Sequence, residues 1–464
     1  MMEMMLSDIA HCVQGRLVGR DMAISSVSID TRAIKPGQLY VAIKGHNFDG
    51  NDFVDLAERA GASAAIVHTG VTAAMPHIIV DDTHLALAEL AGAWRRKAPV
   101  SMVGMTGSNG KTTVKEMVAA ILAVNDPVLF TQGNLNNDIG VPLTLLRLEN
   151  RHRYAVVEMG ANHPGEIAYT STYVQADVVI ITNIGAAHIE GFGSLDGVAR
   201  AKGEIIETLK DDGIAVLNRD DAYFNYWKAI AGVRKSLSFG LNDNADVTAR
   251  SIKTEIHTNG VYTGGIACPE FATGFELVTA QGNLAVELKL AGRHNVVNAL
   301  AAAAACLALG IDLTQIKQGL ESVKPVTGRL QPLVSRQGNI IIDDTYNANI
   351  ASLKAGLAVL EDMPGSPWVV LGAFGELGPE SKKIHEEMGE LLKSSGVVRL
   401  LAMGADAKNT VRVFGQGATF FEAQNELIDV LKQELKGNES ILIKGSRARH
   451  MENVAAALVE NFRI

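Results

Sequence analysis

Two hydrophobic patterns take turns along this chain. Short apolar runs closed by glycine, proline or a polar cluster read as buried strands. Longer stretches with apolar residues three and four apart read as amphipathic helices. Near the start, 5–13 predicts a helix, 24–29 a strand running into Asp30, Thr31 and Arg32, and 36–45 a turn and strand ending at Lys44 and Gly45. Asp49-Gly50 marks a turn, 53–61 a helix stopped by Gly61, and 64–67 a short buried strand. The polar clusters at these strand ends stand where α/β folds place ligands, and they suit ordinary turns equally well.

A helix over 85–96 precedes the sharpest change of pattern. Residues 100–105 read as a strand, 107–113 as a glycine-rich turn, and 114–122 as a helix. A strand over 128–130 leads into TQGNLNNDIGVP, where Asn134, Asn136 and Asn137 crowd together; such a stretch suits turns, and also amide hydrogen bonds to a substrate. The apolar strand over 154–160 carries Glu158 near its end, and His188 and Glu190 follow a buried strand over 178–184. In open α/β sheets the ligand crevice lies at such strand ends. The helix over 198–209 has Lys202 beside its apolar stripe of Val198, Ala201, Ile205 and Leu209. A lysine there commonly snorkels; a desolvated one has a lowered pKa and reacts with CO₂ to give a carbamate. A strand over 215–218 comes next, and residues 236–290 predict β-hairpins with turns at 242–244 and 264–265. The helix over 292–310 opens with His294, Asn295 and Asn298; Asn295 suits a cap, and His294 and Asn298 suit contacts with a base. Lys324-Pro325 and Gly328-Arg329 read as a linker and hinge.

Beyond it, strands over 339–344, 368–372, 399–403 and 441–443 alternate with helices over 351–360, 382–392, 422–435 and 450–462. Strand–helix alternation means a parallel, doubly wound sheet. The fold class is therefore α/β in three domains. Residues 1–82 form a small N-terminal α/β domain, 83–325 a central P-loop mononucleotide-binding domain with a parallel sheet, and 326–464 a C-terminal Rossmann-like domain.

Composition narrows the function. The 464 residues are 47% hydrophobic but only 5% aromatic, which favours packed α/β units over a β-sandwich. A net charge of −9 excludes a basic nucleic-acid footprint, so anionic ligands need local sites. Cys12, Cys268 and Cys306 are scattered, with no disulfide or metal spacing, which suits a reducing compartment, the cytoplasm. The first residues carry Glu3 and Asp8 without a basic segment and do not read as a signal peptide. The longest apolar run, 296–309, is too short to span a bilayer and reads as a buried helix.

The chemistry concentrates in TGSNGKTT. Strand, glycine turn and helix make a phosphate cradle in which backbone N–H groups point inward, the helix N-terminus adds a positive field, Lys111 a cation, and the Thr112 hydroxyl a ligand for Mg²⁺. The usual P-loop glycine five residues before Gly110 is replaced by Met105.

TGSNGKTT, EMG, the block from His188 to Lys202, GRHNVVNALAA and DDTYNAN together resemble the Mur ligases, the ATP-dependent amide ligases of peptidoglycan synthesis, over nearly the whole chain. Within that family VSIDTRAIKPGQLYVAIKG, FGSLDGVARAKGE, GELG and KGSRARHME resemble the members that join D-alanyl-D-alanine to UDP-N-acetylmuramoyl-tripeptide; the DNPR motif of the diaminopimelate-adding members is not found. The resemblance implies ATP and two Mg²⁺ ions. It implies that Gly107, Ser108, Asn109, Gly110, Lys111, Thr112 and Thr113 cradle the ATP phosphates, that His294 and Asn295 meet the adenine, and that Asp344 lies on the ribose side. Thr112, Glu158, His188 and a carbamylated Lys202 would hold the metal, and Lys111, Lys202, His188 and Arg329 would form the catalytic set, with Arg329 on the γ-phosphate. Ser28, Asp30, Thr31, Arg32, Lys44 and Gly45 would take the UDP end, making the first domain a nucleotide-sugar domain; Asn134, Asn137, Arg200, Tyr346 and Asn347 complete the implied substrate contacts. The chain departs from the family pattern at Asn51, where His is usual, at Ile350, where Pro is usual, and at Ala373-Phe374, where a Met-containing turn is common. The implied partners are the UDP-linked tripeptide and D-alanyl-D-alanine, with no nucleic acid, no membrane insertion and a monomeric chain. The competing readings are another Mur-type ligase, a folylpolyglutamate synthetase relative, or a P-loop ATPase with no ligase step.

Overall fold

The computed structural model describes residues 3–45, 48–71, 73–185, 189–261, 267–335 and 337–459. Three large sheets follow one another along the chain. The first has five strands in the order Arg16–Val18, His77–Val80, Ala64–His68, Gln38–Val41 and Ser26–Ser28, parallel except at the Arg16–Val18 edge.

The second sheet has nine strands and is built around Ser101–Thr106, with Tyr154–Glu158 and then Val128–Phe130 on one side and Val178–Ile181, Ile214–Asn218 and Lys235–Phe239 on the other, all parallel. Tyr154–Glu158 and Val178–Ile181 are buried at every position, because helices cover both faces. Alternate residues separate cleanly. Met102, Ala155, Val157 and Ile181 point into the core shared with helices Thr83–Lys97 and Leu195–Glu207. Val103, Met105, Val156 and Ile180 point into the core shared with helices Lys111–Leu122 and Arg293–Ala308. The first of these cores continues through Ala86, Leu87 and Leu90 to Leu39, Ile66 and Ile78 of the first sheet, so the two sheets are welded by one apolar cluster.

The predicted hairpins over 236–290 are long strands, Val247–Val261, Ala267–Thr279 and Gly282–Leu288, which pair antiparallel and prolong the second sheet. The sheet is therefore mixed, its parallel part being the part that bears the phosphate loop. The turn expected at 264–265 lies outside the described residues. The helix over 292–310 is Arg293–Ala308, and its N-cap is Gly292 at φ +89° rather than Asn295; Asn295 lies inside the first turn and donates Nδ2 to Ala291 O at 2.8 Å.

The third sheet has six strands in the order Gln331–Val334, Ile340–Asp344, Glu439–Lys444, Ser366–Gly372, Arg399–Met403 and Ala418–Phe421, parallel except at the Gln331–Val334 edge. Its core includes Phe271 from the antiparallel part of the second sheet and Ala291 from the link to helix Arg293–Ala308. The edge strands Gln331–Val334 and Ala418–Phe421, and the helix Leu313–Ser322, are elements beyond those expected from the sequence, although Leu313, Ile316 and Leu320 do keep helical spacing. Among the described residues no helix is long and apolar enough to cross a membrane.

Candidate active site

Strand Ser101–Thr106 delivers the chain into a turn where only glycine fits at two points. A Cβ on Gly107, at φ +150°, would stand 1.8 Å from Thr182 Oγ1, and one on Gly110, at φ +81°, would stand 2.4 Å from Asn298 Oδ1. Neighbouring strand ends hold the turn: Ser108 N donates to Asn183 O and Asn109 N to Asn183 Oδ1, both at 2.9 Å, while Thr182 Oγ1 donates to Asn109 O at 2.6 Å. Helix Lys111–Leu122 then starts with Gly110 as its N-cap and no side-chain cap, so the N–H groups of its first turn are open to an anion. Lys111 folds back to donate to Gly107 O at 2.6 Å. Burial lowers its pKa, and nearby Arg329 lowers it further against the opposing pull of Glu158. Thr113 is half-buried on the same turn.

At the second position of the helix, Thr112 Oγ1 donates to Glu158 Oε2 at 3.0 Å, and Arg329 Nη2 donates to Thr112 Oγ1 at 2.8 Å. Glu158 is buried at the end of its strand; its other carboxylate oxygen accepts from Asn136 Nδ2 at 2.9 Å. Lys202 is also buried, its ammonium 5.9 Å from the centroid of the Phe192 ring. Burial, and then repulsion from Lys111, pushes its pKa down to about 7. His188 lies outside the described residues, and Arg200 is exposed on the Lys202 helix.

The C-terminal lobe closes one side. Arg329 stacks on Tyr346, 4.2 Å from the ring centroid, and the two are clasped by Tyr346 N donating to Gly328 O at 3.1 Å. Asn349 Nδ2 reaches the phosphate loop at Asn109 Oδ1, 2.6 Å away. Asp344 is paired with Lys444, a fully buried lysine that also donates to Asn347 O at 3.1 Å. Between the lobes His294 is pushed down to about 4, chiefly by burial and against the attraction of Asp344. Asn295 is internally bonded, to Ala291 O and to Asn298 Nδ2.

The first lobe carries a separate group. Asp30 accepts two bonds from the Arg32 guanidinium, at 2.9 and 2.7 Å, and this pairing holds its carboxyl down at about 2. Arg32 is largely exposed, Thr31 sits beside it in a single turn of 3₁₀ helix, and Ser28 Oγ donates to Asp30 O at 3.1 Å. Lys44 O accepts from His84 Nε2 at 3.0 Å, and Gly45 N donates to Phe48 O at 2.9 Å. Asn51 fills the place where His is usual by donating to Ala42 O and accepting from His68 N.

Of the expected residues, Thr112, Glu158 and Arg329 are joined directly beside the phosphate loop, Tyr346 lies against Arg329, Lys202 is near enough to feel the Lys111 charge, and Asp344 pairs with Lys444. Asn134 and Asn137 are exposed on their loop, and it is Asn136 between them that reaches Glu158. Asn183, Asn349 and Lys444 lie outside the expected site set, and Asn136 enters it only as one of three crowded loop amides. Lys444 was findable, because a charged residue closing a buried strand is the signal that marked Glu158. Asn183 and Asn349 act through folding partners far away in sequence.

Family models match three segments: "Mur ligase family, catalytic domain" over residues 23–95, "Mur ligase middle domain" over 105–306, and "Mur ligase, glutamate ligase domain" over 328–447. The chain is 43% identical over 464 residues to UDP-N-acetylmuramoyl-tripeptide–D-alanyl-D-alanine ligase of Escherichia coli K12, covering 99% of each chain. It superposes on the crystal structure of MurF from Acinetobacter baumannii with a TM-score of 0.91 at 36% identity over 99% of each chain. MurF ligase from Thermotoga maritima in complex with ADP matches with a TM-score of 0.81 at 29% identity, over 93% of this chain and 96% of that one.

Proposed function

The chain belongs to the Mur ligase family, and on that premise we propose that it uses ATP to join D-alanyl-D-alanine to UDP-N-acetylmuramoyl-tripeptide in peptidoglycan precursor synthesis. The lobes are taken as 1–82 for the UDP end, 83–325 for ATP, and 326–464 as the closing lobe, in a monomeric cytoplasmic enzyme. The observation that carries the reading is the meeting of Lys111, Thr112, Glu158 and Arg329 at one point, at the mouth of an uncapped helix.

The tripeptide carboxylate attacks the γ-phosphoryl group of ATP, and two anions must approach each other. Lys111 and Arg329 offset that repulsion, and the open N–H groups of the phosphate-loop helix offset it further. The Thr112 hydroxyl and Glu158 carboxylate are hard oxygen donors 3.0 Å apart, a set that fits Mg²⁺, with His188 and carbamylated Lys202 as further ligands. When bound, the metal supplies further neutralisation of the phosphate oxygens. A pKa near 7 leaves much of Lys202 as free amine at neutral pH, the form that takes up CO₂. The attack releases ADP and leaves an acyl phosphate. The dipeptide amine then attacks its carbonyl carbon, the amide forms, a proton is lost, and phosphate leaves. Arg329, Tyr346 and Asn349 bring the C-terminal lobe against the phosphate loop, which shields the acyl phosphate from water.

Full-length 43% identity to a D-alanyl-D-alanine-adding ligase favours this acceptor pair over another amino-acid-adding ligase or a folylpolyglutamate synthetase relative. The test is ADP release in a panel of acceptors and amines. ADP should appear only when the UDP-linked tripeptide and D-alanyl-D-alanine are both present; equal ATP consumption without acceptor, or preference for diaminopimelate or glutamate, overturns the reading.

A further inference from the structure

Lys115 lies one helical turn beyond Lys111 and is 1% exposed, yet no step above uses it. Its ammonium donates to Thr131 O at 2.7 Å, sits 2.9 Å from Glu116 Oε1, and faces the Phe130 ring at 5.4 Å from the centroid. Thr131 is itself fully buried and pinned on two other sides: its N–H donates to Val156 O at 3.0 Å, and its hydroxyl accepts from Glu158 N at 3.0 Å. Five residues further on, Asn136 Nδ2 donates to the Glu158 carboxylate, and Gly160 N donates to Asn136 O at 2.8 Å. The loop thus grips Glu158 at its backbone and at its carboxylate, and Lys115 anchors the root of that loop.

We propose that Lys115 is a positioning residue for Glu158, fixing through Thr131 the direction in which the carboxylate faces Thr112. The inference rests on the metal role given to Glu158 above. Packing alone does not call for a charge here: burying an ammonium is costly, and an apolar side chain of the same length would fill the space. Its donors are spent on a loop carbonyl and on a half-buried carboxylate that can turn to water once the lysine is gone. Groups that orient a metal-holding carboxylate typically matter by 10–100-fold in metal affinity or activity.

The test compares the parent protein with Lys115→Met, Lys115→Arg and Thr131→Val. ADP binding is measured by calorimetry over a series of Mg²⁺ concentrations, together with kcat and the KM for each peptide. Lys115→Met and Thr131→Val should each raise the Mg²⁺ needed for half-maximal ADP binding by about tenfold and lower kcat, with both peptide KM values within about twofold of the parent. Their effects should not add in the double variant, because both act on one linkage. Lys115→Arg should recover most of the loss. Unchanged Mg²⁺ half-saturation in Lys115→Met overturns the proposal, as does a uniform fall in all constants tracking a lower melting temperature. If Lys115→Met does not fold, Thr131→Val decides alone, and a parent-like Mg²⁺ dependence there overturns it. A parent protein whose ADP binding ignores Mg²⁺ would instead defeat the role given to Glu158.

Discussion

Arg329 Nη2 donates to Thr112 Oγ1 across 217 residues of sequence, so a guanidinium from the C-terminal lobe stands on a hydroxyl of the phosphate-loop helix. The Tyr346 ring, its centroid 4.2 Å from the guanidinium carbon, supports it. Arg329→Ala should lower kcat on the order of 10²–10³-fold, the usual effect of losing one preorganised donor to a developing anion. Arg329→Lys should recover little, since an ammonium neither stacks nor forks. Parent-like steady-state kinetics in either variant would remove Arg329 from the reaction.

Lys111→Ala should abolish turnover and leave the fold intact, because among the described residues the lysine's hydrogen bond is to Gly107 O, within its own loop. Circular dichroism and ADP release check the two halves. Retained turnover would contradict the phosphate-cradle role.

Gly110→Ala tests the cradle's backbone. A methyl group would meet Asn298 Oδ1 at 2.4 Å, and the left-handed φ of +81° adds roughly 1–2 kcal/mol of strain. Nucleotide binding should be lost and the melting temperature lowered; normal ADP affinity by calorimetry would show that the turn tolerates a Cβ.

Lys202→Ala should be inactive and regain activity when a short carboxylic acid is added, the acid standing in for the carbamate. Full activity without the acid would mean that Lys202 only packs under Phe192.

His385 offers a pH prediction. Its Nε2 accepts from Phe374 N at 3.1 Å and its Nδ1 lies 2.8 Å from Ser381 O, so the fold holds the neutral ring, and burial lowers its pKa. The unfolded chain takes up this proton near the ordinary histidine value of about 6.5, whereas the folded chain resists. His385 therefore favours the fold fully above that pH, and stability falls as the pH drops below it towards the lowered folded value. His294, pushed down to about 4, adds loss in the same direction between about 6.5 and 4. Melting temperatures taken from pH 7.5 downwards, values set by the same roughly 6.5 reference, should fall less steeply in His385→Gln than in the parent. Equal slopes would show that the ring does not titrate on unfolding.

The strands that bear chemistry were readable because burial on both faces leaves unbroken apolar runs, and Glu158 stands out at the end of such a run. The phosphate turn was readable because Gly107 and Gly110 answer local backbone demands. The Asn349 to Asn109 bond was not readable, because it joins lobes 240 residues apart and asparagine is common in turns. The Gln331–Val334 edge strand was missed because a half-buried strand with proline at its second position has no clean alternation. Asn136 was hidden among its neighbours: loop composition gave the amides, and only the fold decides which one turns inward.

Phe271, on the antiparallel part of the nine-stranded sheet, and Ala291, just past its last strand, are packed in the same core as Leu330, Ile342 and Leu357. The C-terminal lobe is thus hung at two places, the chain at Gly328 and this greasy bearing. Swinging wide would wet both aromatic and aliphatic faces at about 25 cal/mol per Å² exposed. Keeping that patch dry favours the one arrangement in which Arg329 stands on Thr112.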